Sequence, residues 1–465
     1  MTETSQTHHT DADYLRDFAD MSSHGAVTVD GEPLDQDAAR ASSNSTVQGV
    51  DRQAGSAADL ANRRWLASVL QELGARVVYD EAGNQYGLFE FVPDAPFVGV
   101  GSHLDSQPRA GRYDGAYGVL AAVHAAARVQ QDVNAGRLQP THNIAVINWF
   151  NEEGSRFAPS MMGSGVFCGT LPLEDARKTQ DLEGTTVGEL FDSPEWRELV
   201  EPAPDGSATG AASSGVMPMD SVPPIVSYGE IHVEQGRLLE DNNKQIGLVT
   251  ATWGASKFQV TVRGEQGHTG STMMADRKDA LFGASLIIPE VQRLTKQFGQ
   301  SVGSGGGLDA PLQASVSQLT LEPNSPVTIA REVQFNIDLR SPDAGVLETA
   351  QQKVEELILR TEEESRCDIE LTLTHHWELN PYSESGVALA REECDALGLS
   401  HQEILTVAGH DSTNMKELVP TVMLFIPSVE GISHNVKEYT KDDDCLAGVA
   451  LLSRVVARLA QGALL

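Results

Sequence analysis

The chain has 465 residues, 40% of them hydrophobic and 21% charged, with 66 acidic against 33 basic side chains and a net charge of −33. That length exceeds what one hydrophobic core usually serves, so two domains are expected. The acidic balance offers no basic stripe for nucleic acid, and no apolar run is long enough to span a bilayer.

At the N-terminus, MTETSQTHHTDADYLRDFADMS has neither a basic start nor an apolar core, so it does not read as a signal peptide. A cytoplasmic location is expected, with His8 and His9 in a disordered polar leader. The four cysteines (Cys168, Cys367, Cys394, Cys445) show no pairing pattern and read as reduced thiols. Residues 58–73 have the period of an amphipathic helix, followed by the strand-like ARVVYDEAGNQYGLFE and a buried strand FVGVGSH. Residues 115–131 predict a helix of small and apolar residues, and 143–151 a buried parallel strand. Strand, helix and strand in that order make a βαβ unit, so this part is α/β. Residues 200–224, rich in Gly, Ser, Ala and Pro, read as a surface loop before the strand IVSYGEIHVEQG.

Near Thr252 the pattern changes. An alternating strand FQVTVRG precedes a long helix at 276–298, the Gly-rich loop SVGSGGGLDAP, two alternating strands, a helix at 344–365 and the strand CDIELTLTHHW. This β-α-β-β-α-β order is the ferredoxin-like pattern. The expected division is therefore a catalytic domain in two parts, 1–251 and 378–465, with an inserted domain at 252–377.

Six residues stand in local settings that suit a metal site: His103 in GSHLDS, Asp114 in RYDG just before a helix, Glu152 and Glu153 in NEEG, His232 in IHVEQG and His434 in GISHN. Imidazole and carboxylate with no cysteine nearby are the ligands of a hydrolytic centre rather than a closed structural one. One carboxylate beyond a single ion's needs points to a general base or a second ion. Asp105 could hydrogen-bond the second nitrogen of His103. Taken singly, a strand-end His is a satisfied polar residue, an EE pair is solvated surface and YDG is a turn. Their joint placement after buried strands, at the edge where open α/β sheets bind ligands, points to one site. His24, His124, His142, His375, His376 and His401 sit in no such context.

The strings GSHLDSQPRAGRYDGAYGVLAA, NEEGSRFAPSMMGSGVF, IHVEQG, AGHDS and GISHNVKEYT resemble the amidase/hydantoinase/carbamoylase branch of the M20 metallopeptidases. That branch contains N-carbamoyl-L-amino-acid hydrolases, allantoate amidohydrolases and β-ureidopropionases, and the likeness covers nearly the whole chain in order. The resemblance implies a zinc-peptidase-like catalytic domain, with a mixed sheet flanked by helices, plus an inserted ferredoxin-like lid that dimerises. It implies two divalent ions, zinc first, with manganese, cobalt or nickel as alternatives. Asp114 would bridge them, His103, Glu153, His232 and His434 would complete the shells, and Glu152 would be the general base. His268 matches a histidine that stabilises the oxyanion, often in the partner subunit's site. Arg340 matches the arginine that grips a substrate carboxylate, a role suited to a bidentate guanidinium. Gln235, Gly409 and His410 match further substrate-pocket positions.

One departure stands out. Where the family usually has an Asn before the strand carrying its arginine, this chain has Val327, which cannot donate a hydrogen bond from its side chain. Asn324 lies three residues earlier. The expected activity is hydrolysis of a linear C–N bond in an N-carbamoyl or N-acyl amino acid, a small substrate bearing a carboxylate. The competing readings are an amidase, deacylase or dipeptidase of different specificity on the same scaffold, and a metal- or ligand-binding relic without catalysis. The intact Glu152 speaks against the relic.

Overall fold

The structure, a computed structural model, describes residues 10–41, 48–200, 215–299 and 310–465. The leader with His8 and His9, residues 201–214 of the 200–224 loop and residues 301–309 of the Gly-rich loop lie outside the described residues. Two compact units form. One comprises Met1–Thr250, Tyr382–Ile404 and Gly409–Leu465, and the other Ala251–Pro381 with Leu405–Ala408. Among the described residues no helix is long and apolar enough to cross a membrane.

The first unit is built on a large mixed sheet flanked by helices. Four neighbouring strands, Thr421–Ile426, Ile225–Val233, Phe97–His103 and Asn143–Trp149, run parallel in that spatial order. Their C-terminal ends therefore share one edge. Phe97–His103 and Asn143–Trp149 are buried at every position, which is why both read as continuous apolar runs rather than alternating ones. On one face the helices Ala116–Asn134 and Asp442–Ala460 pack into the main core with Val98, Val100, Ile231, Leu424 and Ile426. Tyr86, Ala145, Ile147, Trp149, Tyr228 and Met415 form a second core on the other face. Small residues let the first helix come close: a Cβ at Gly118 would lie 2.3 Å from the Ile231 carbonyl.

The stretch expected as one strand at 75–90 is a hairpin, Arg76–Asp80 antiparallel to Gln85–Phe89. It turns because the Asp80 carboxylate accepts the N–H groups of Ala82 and Asn84, both at 2.9 Å. The described end of the 200–224 loop contributes a short strand, Val216–Met217, beside Tyr79 and Asp80.

In the second unit a four-stranded antiparallel sheet has the spatial order Gln313–Glu322, Glu332–Ser341, Gly254–Arg263, Asp368–Trp377. Glu332–Ser341 alternates strictly between half-buried and buried, as a strand with one face against helices must. Its Val333, Phe335, Ile337 and Leu339 share a core with Ala284, Ile287 and Val291 of the helix Ala280–Leu294 and with Val346, Ala350 and Val354 of Ala344–Ser365. The first of these helices starts later than its sequence period suggests, because Asp279 caps it by accepting the N–H groups of Leu281 and Phe282.

Candidate metal centre

The parallel edge of the first unit gathers His103, Asp114, Glu152, Glu153, His232 and His434. Among the described residues, two groups place ligand atoms within 4.8 Å of one another: His103 with Asp114 and His232, and Asp114 with Glu153 and His434. Asp114 belongs to both, one oxygen to each. Its Oδ1 lies 3.7 Å from His103 Nε2 and 3.0 Å from His232 Nε2, while its Oδ2 lies 3.3 Å from His434 Nε2. Glu153 Oε2 is 3.4 Å from His434 Nε2, and Glu152 Oε2 is 3.4 Å from His103 Nε2.

Two of the three rings are oriented from behind. His103 Nδ1 donates to the main-chain carbonyl of Asp105 at 2.9 Å, and His232 Nδ1 donates to the carbonyl of Val233 at 2.8 Å. Both bonds leave Nε2 turned toward Asp114. The Asp105 carboxylate does something other than the side-chain contact expected of it, standing 3.7 Å from His103 Nδ1. It accepts the backbone N–H groups of Glu152 and Glu153, each at 3.2 Å, and so sets the direction in which the two adjacent glutamates leave the strand. Gln107 holds Glu153, donating from its amide to Oε2 at 2.9 Å.

Charge is concentrated here with few cations to balance it. Burial pushes the Glu152 carboxyl well above its usual range, with Asp411 and Glu153 adding to the effect. Burial and then Asp114 push Glu153 up to about 8. His103, fully enclosed, is pushed down to about 4 by burial. Burial opposes charge on His232 and His434 as well, yet the Asp114 carboxylate raises each to about 9. For His232 this competes with the Gly115 N–H, which points at Nε2 from 2.8 Å and needs a lone pair there. Geometry favours the neutral ring, since Nδ1 is committed as a donor. The buried His103 Nε2 has no hydrogen-bond partner. An orphaned imidazole nitrogen beside carboxylates held above their usual range fits divalent cations, which neutralise the acids and take the lone pairs.

Around the centre, Gln235 Nε2 donates to Asp114 Oδ2 at 2.7 Å and to Ser433 Oγ at 3.0 Å. Gln235 and His434 both hold left-handed backbone, with φ of 58° and 53°. His410, 2% exposed, has its ring centroid 4.6 Å from that of His232. A Cβ at the neighbouring Gly409 would come within 3.1 Å of the Met161 thioether.

Residues 99–458 match the family model described as Peptidase family M20/M25/M40. The chain belongs to that family. It is 47% identical to a putative hydrolase of Mycolicibacterium smegmatis over 90% of each chain. It is 33% identical to an N-carbamoyl-L-amino-acid amidohydrolase of Rhizobium meliloti, over 89% of this chain and 92% of that one. A solved amidase of the hydantoinase/carbamoylase family from Burkholderia vietnamiensis superimposes with a TM-score of 0.81 at 30% identity, covering 99% of both chains.

The remaining two residues singled out in this M20 chain, His268 and Arg340, lie in the second unit. His268 Nδ1 accepts the N–H groups of Gly270 at 2.9 Å and Ser271 at 3.2 Å, which leaves the proton on Nε2. His268 pairs with Thr328 across two short strands, and the carbonyl of Val327, itself 60% exposed, accepts the Thr269 N–H at 3.2 Å. The departure at Val327 therefore falls beside His268. Arg340 grips Asp338 through Nε at 3.0 Å and Nη2 at 2.7 Å, and donates from Nη1 to the Val407 carbonyl at 2.9 Å. Arg340 holds the Asp338 carboxyl below its usual range against the effect of burial.

Three buried acids near the centre had no sequence signal. Glu438, Glu230 and Asp411 are 2%, 0% and 0% exposed. Glu438 sits in the quoted string GISHNVKEYT and Asp411 in AGHDS, but neither follows a buried strand directly. Their neighbours are backbone N–H groups and hydroxyls from elsewhere in the chain.

Proposed function

We propose that the chain is a dinuclear metal-dependent amidohydrolase that cleaves a linear C–N bond of an N-carbamoyl or N-acyl amino acid. The observation that carries this reading is the division of the two Asp114 oxygens between two ligand groups, with the Glu152 carboxylate beside one of them. His103, Asp114 and His232 would hold one ion, and Asp114, Glu153 and His434 the other. When bound, two divalent ions, zinc first and manganese, cobalt or nickel as alternatives, supply Lewis acidity to the scissile carbonyl and acidify a water. Glu152 takes the proton from that water as its oxygen adds to the carbonyl carbon. The same carboxyl passes the proton to the leaving nitrogen as the C–N bond breaks. Asp105 keeps Glu152 aimed through its main-chain N–H. The Nε2–H of His268 is suited to an oxyanion, Arg340 to the substrate carboxylate, and Gln235, Gly409 and His410 to the pocket wall. The second unit, with its β-α-β-β-α-β order, would act as a ferredoxin-like lid and join two copies through an edge strand. Four free thiols suit the cytoplasm.

The test is a chelated enzyme reloaded with single metals and offered a panel of substrates. Ammonia from N-carbamoyl amino acids after reloading supports the proposal. Free amine without ammonia would favour a deacylase or dipeptidase, the reading to which the apolar Val327 lends weight. Metal binding with no turnover on any member would leave the non-catalytic relic.

A further inference from the structure

Glu438 lies four residues beyond His434 and is 2% exposed. Its Oε1 accepts two consecutive main-chain N–H groups, from Tyr113 at 2.9 Å and from Asp114 at 3.0 Å. Its Oε2 lies 3.2 Å from Ser433 Oγ, which is also 3.0 Å from Asp114 Oδ2 and takes a hydrogen bond from Gln235 Nε2 at 3.0 Å. A hydroxyl has one proton, so Ser433 serves one of the two carboxylates at a time. The loop makes room for this acid. A Cβ at Gly111 would lie 2.1 Å from both Cδ and Oε1 of Glu438, so any larger residue there would push the carboxylate off the two N–H groups. Both the backbone and the outer oxygen of Asp114 are thus referred to one buried side chain.

We propose that Glu438 is the positioning residue of the shared carboxylate, fixing Asp114 so that one oxygen faces each ligand group. This rests on the dinuclear reading above. Asp114 is the only residue common to both groups, so a small rotation of its peptide would change the distance from each oxygen to its imidazoles. Without an acceptor the buried N–H groups of Tyr113 and Asp114 would turn toward other partners and carry the carboxylate with them. Glutamate suits the task because one carboxylate oxygen can take two N–H groups while the other remains available to the hydroxyl.

The experiment compares the full-length protein with its Glu438→Ala and Glu438→Gln variants. Each is stripped of metal and titrated with cobalt(II), recording visible absorption, bound stoichiometry, kcat and KM, with thermal unfolding alongside. Wild type is expected to bind two equivalents. Glu438→Ala should weaken at least one of them by about 10–100-fold. Glu438→Gln keeps an acceptor for the N–H groups but presents an amide to Ser433. It should bind both ions with a shifted spectrum and a lower kcat, with KM changed less than about threefold. Wild-type affinity and spectrum in both variants would overturn the proposal while leaving the dinuclear reading intact. If Glu438→Ala does not fold, an unshifted spectrum and unchanged kcat in Glu438→Gln overturn it alone. If wild type binds fewer than two equivalents, the dinuclear reading fails and the role of Glu438 fails with it.

Discussion

Replacing Gly115 by alanine puts a methyl group into the ring of His103. The added Cβ would stand 2.2 Å from Cε1 and Nε2 and 2.4 Å from Cδ2, where ordinary contact begins at 3.4 Å. The ring would have to retreat by about 1.2 Å, the difference between 3.4 and 2.2. It has little freedom to do so, being 1% exposed and tied through Nδ1 to the Asp105 carbonyl at 2.9 Å. Gly115 also holds a φ of 61° with a ψ of −49°, a sparsely populated conformation that costs an alanine about 1–3 kcal/mol. Local overpacking adds about 1–3 kcal/mol, so a loss of roughly 2–6 kcal/mol is expected in urea unfolding. A ligand nitrogen displaced by about 1 Å should lower kcat/KM about 100-fold. The assay is ammonia release from N-carbamoyl amino acids beside cobalt(II) titration of the stripped protein. Wild-type cobalt affinity together with turnover within about threefold of wild type would refute the placement of His103 as a ligand behind Gly115.

Glu152→Gln should bind cobalt like wild type yet lose about 10²–10⁴ in kcat, and undiminished turnover would remove it as the base. Asp59 and Arg63 form an ion pair at 3.0 Å with both side chains fully buried. Asp59→Ala should cost about 3–5 kcal/mol in urea unfolding by stranding the guanidinium, and a loss under about 1 kcal/mol would show that the site re-solvates. His24 gives a pH signature, because burial, with Arg52 and then Arg40 adding to it, pushes its imidazole down to about 4 from 6.5. A folded pKa below the unfolded one means stability present above about pH 6.5 and lost as pH falls toward 4, by about 2 kcal/mol after solvent screening. His24→Gln should flatten that part of the urea-midpoint profile, and parallel profiles would exclude His24 as the source.

Five of the six residues were legible because they follow or sit on buried strands, which leave continuous apolar runs in the sequence, and Asp114 because glycines flank it just before a helix. Parallel pairing of four such strands then brings residues 103 to 434 to one edge. Asp105 was legible as a participant but not in its action, because its partners are main-chain N–H groups, which every residue carries. Glu438 was hidden for the same reason. The strands Ile246–Thr252 and His401–Thr406 were missed because neither carries a continuous apolar run: Gly247, Thr250 and Thr252 interrupt the first, and the second opens on His401, Gln402 and Glu403. The hairpin at 76–89 was merged into one strand because the turn residue Asp80 is buried within the run it ends.

Asp114 and His434 stand 3.3 Å apart in space and 320 residues apart along the chain, by subtraction of their numbers. During synthesis the second ligand group therefore has no existence until the final strand of the parallel set has been made and has paired with Ile225–Val233. Contacts this remote in sequence are slow to close, so the assembled pocket comes late in folding. An ion that recognises only the finished arrangement stabilises it by mass action and has little to hold on to in a partly made chain. If the centre holds divalent ions as proposed, their uptake would mark molecules whose folding is complete.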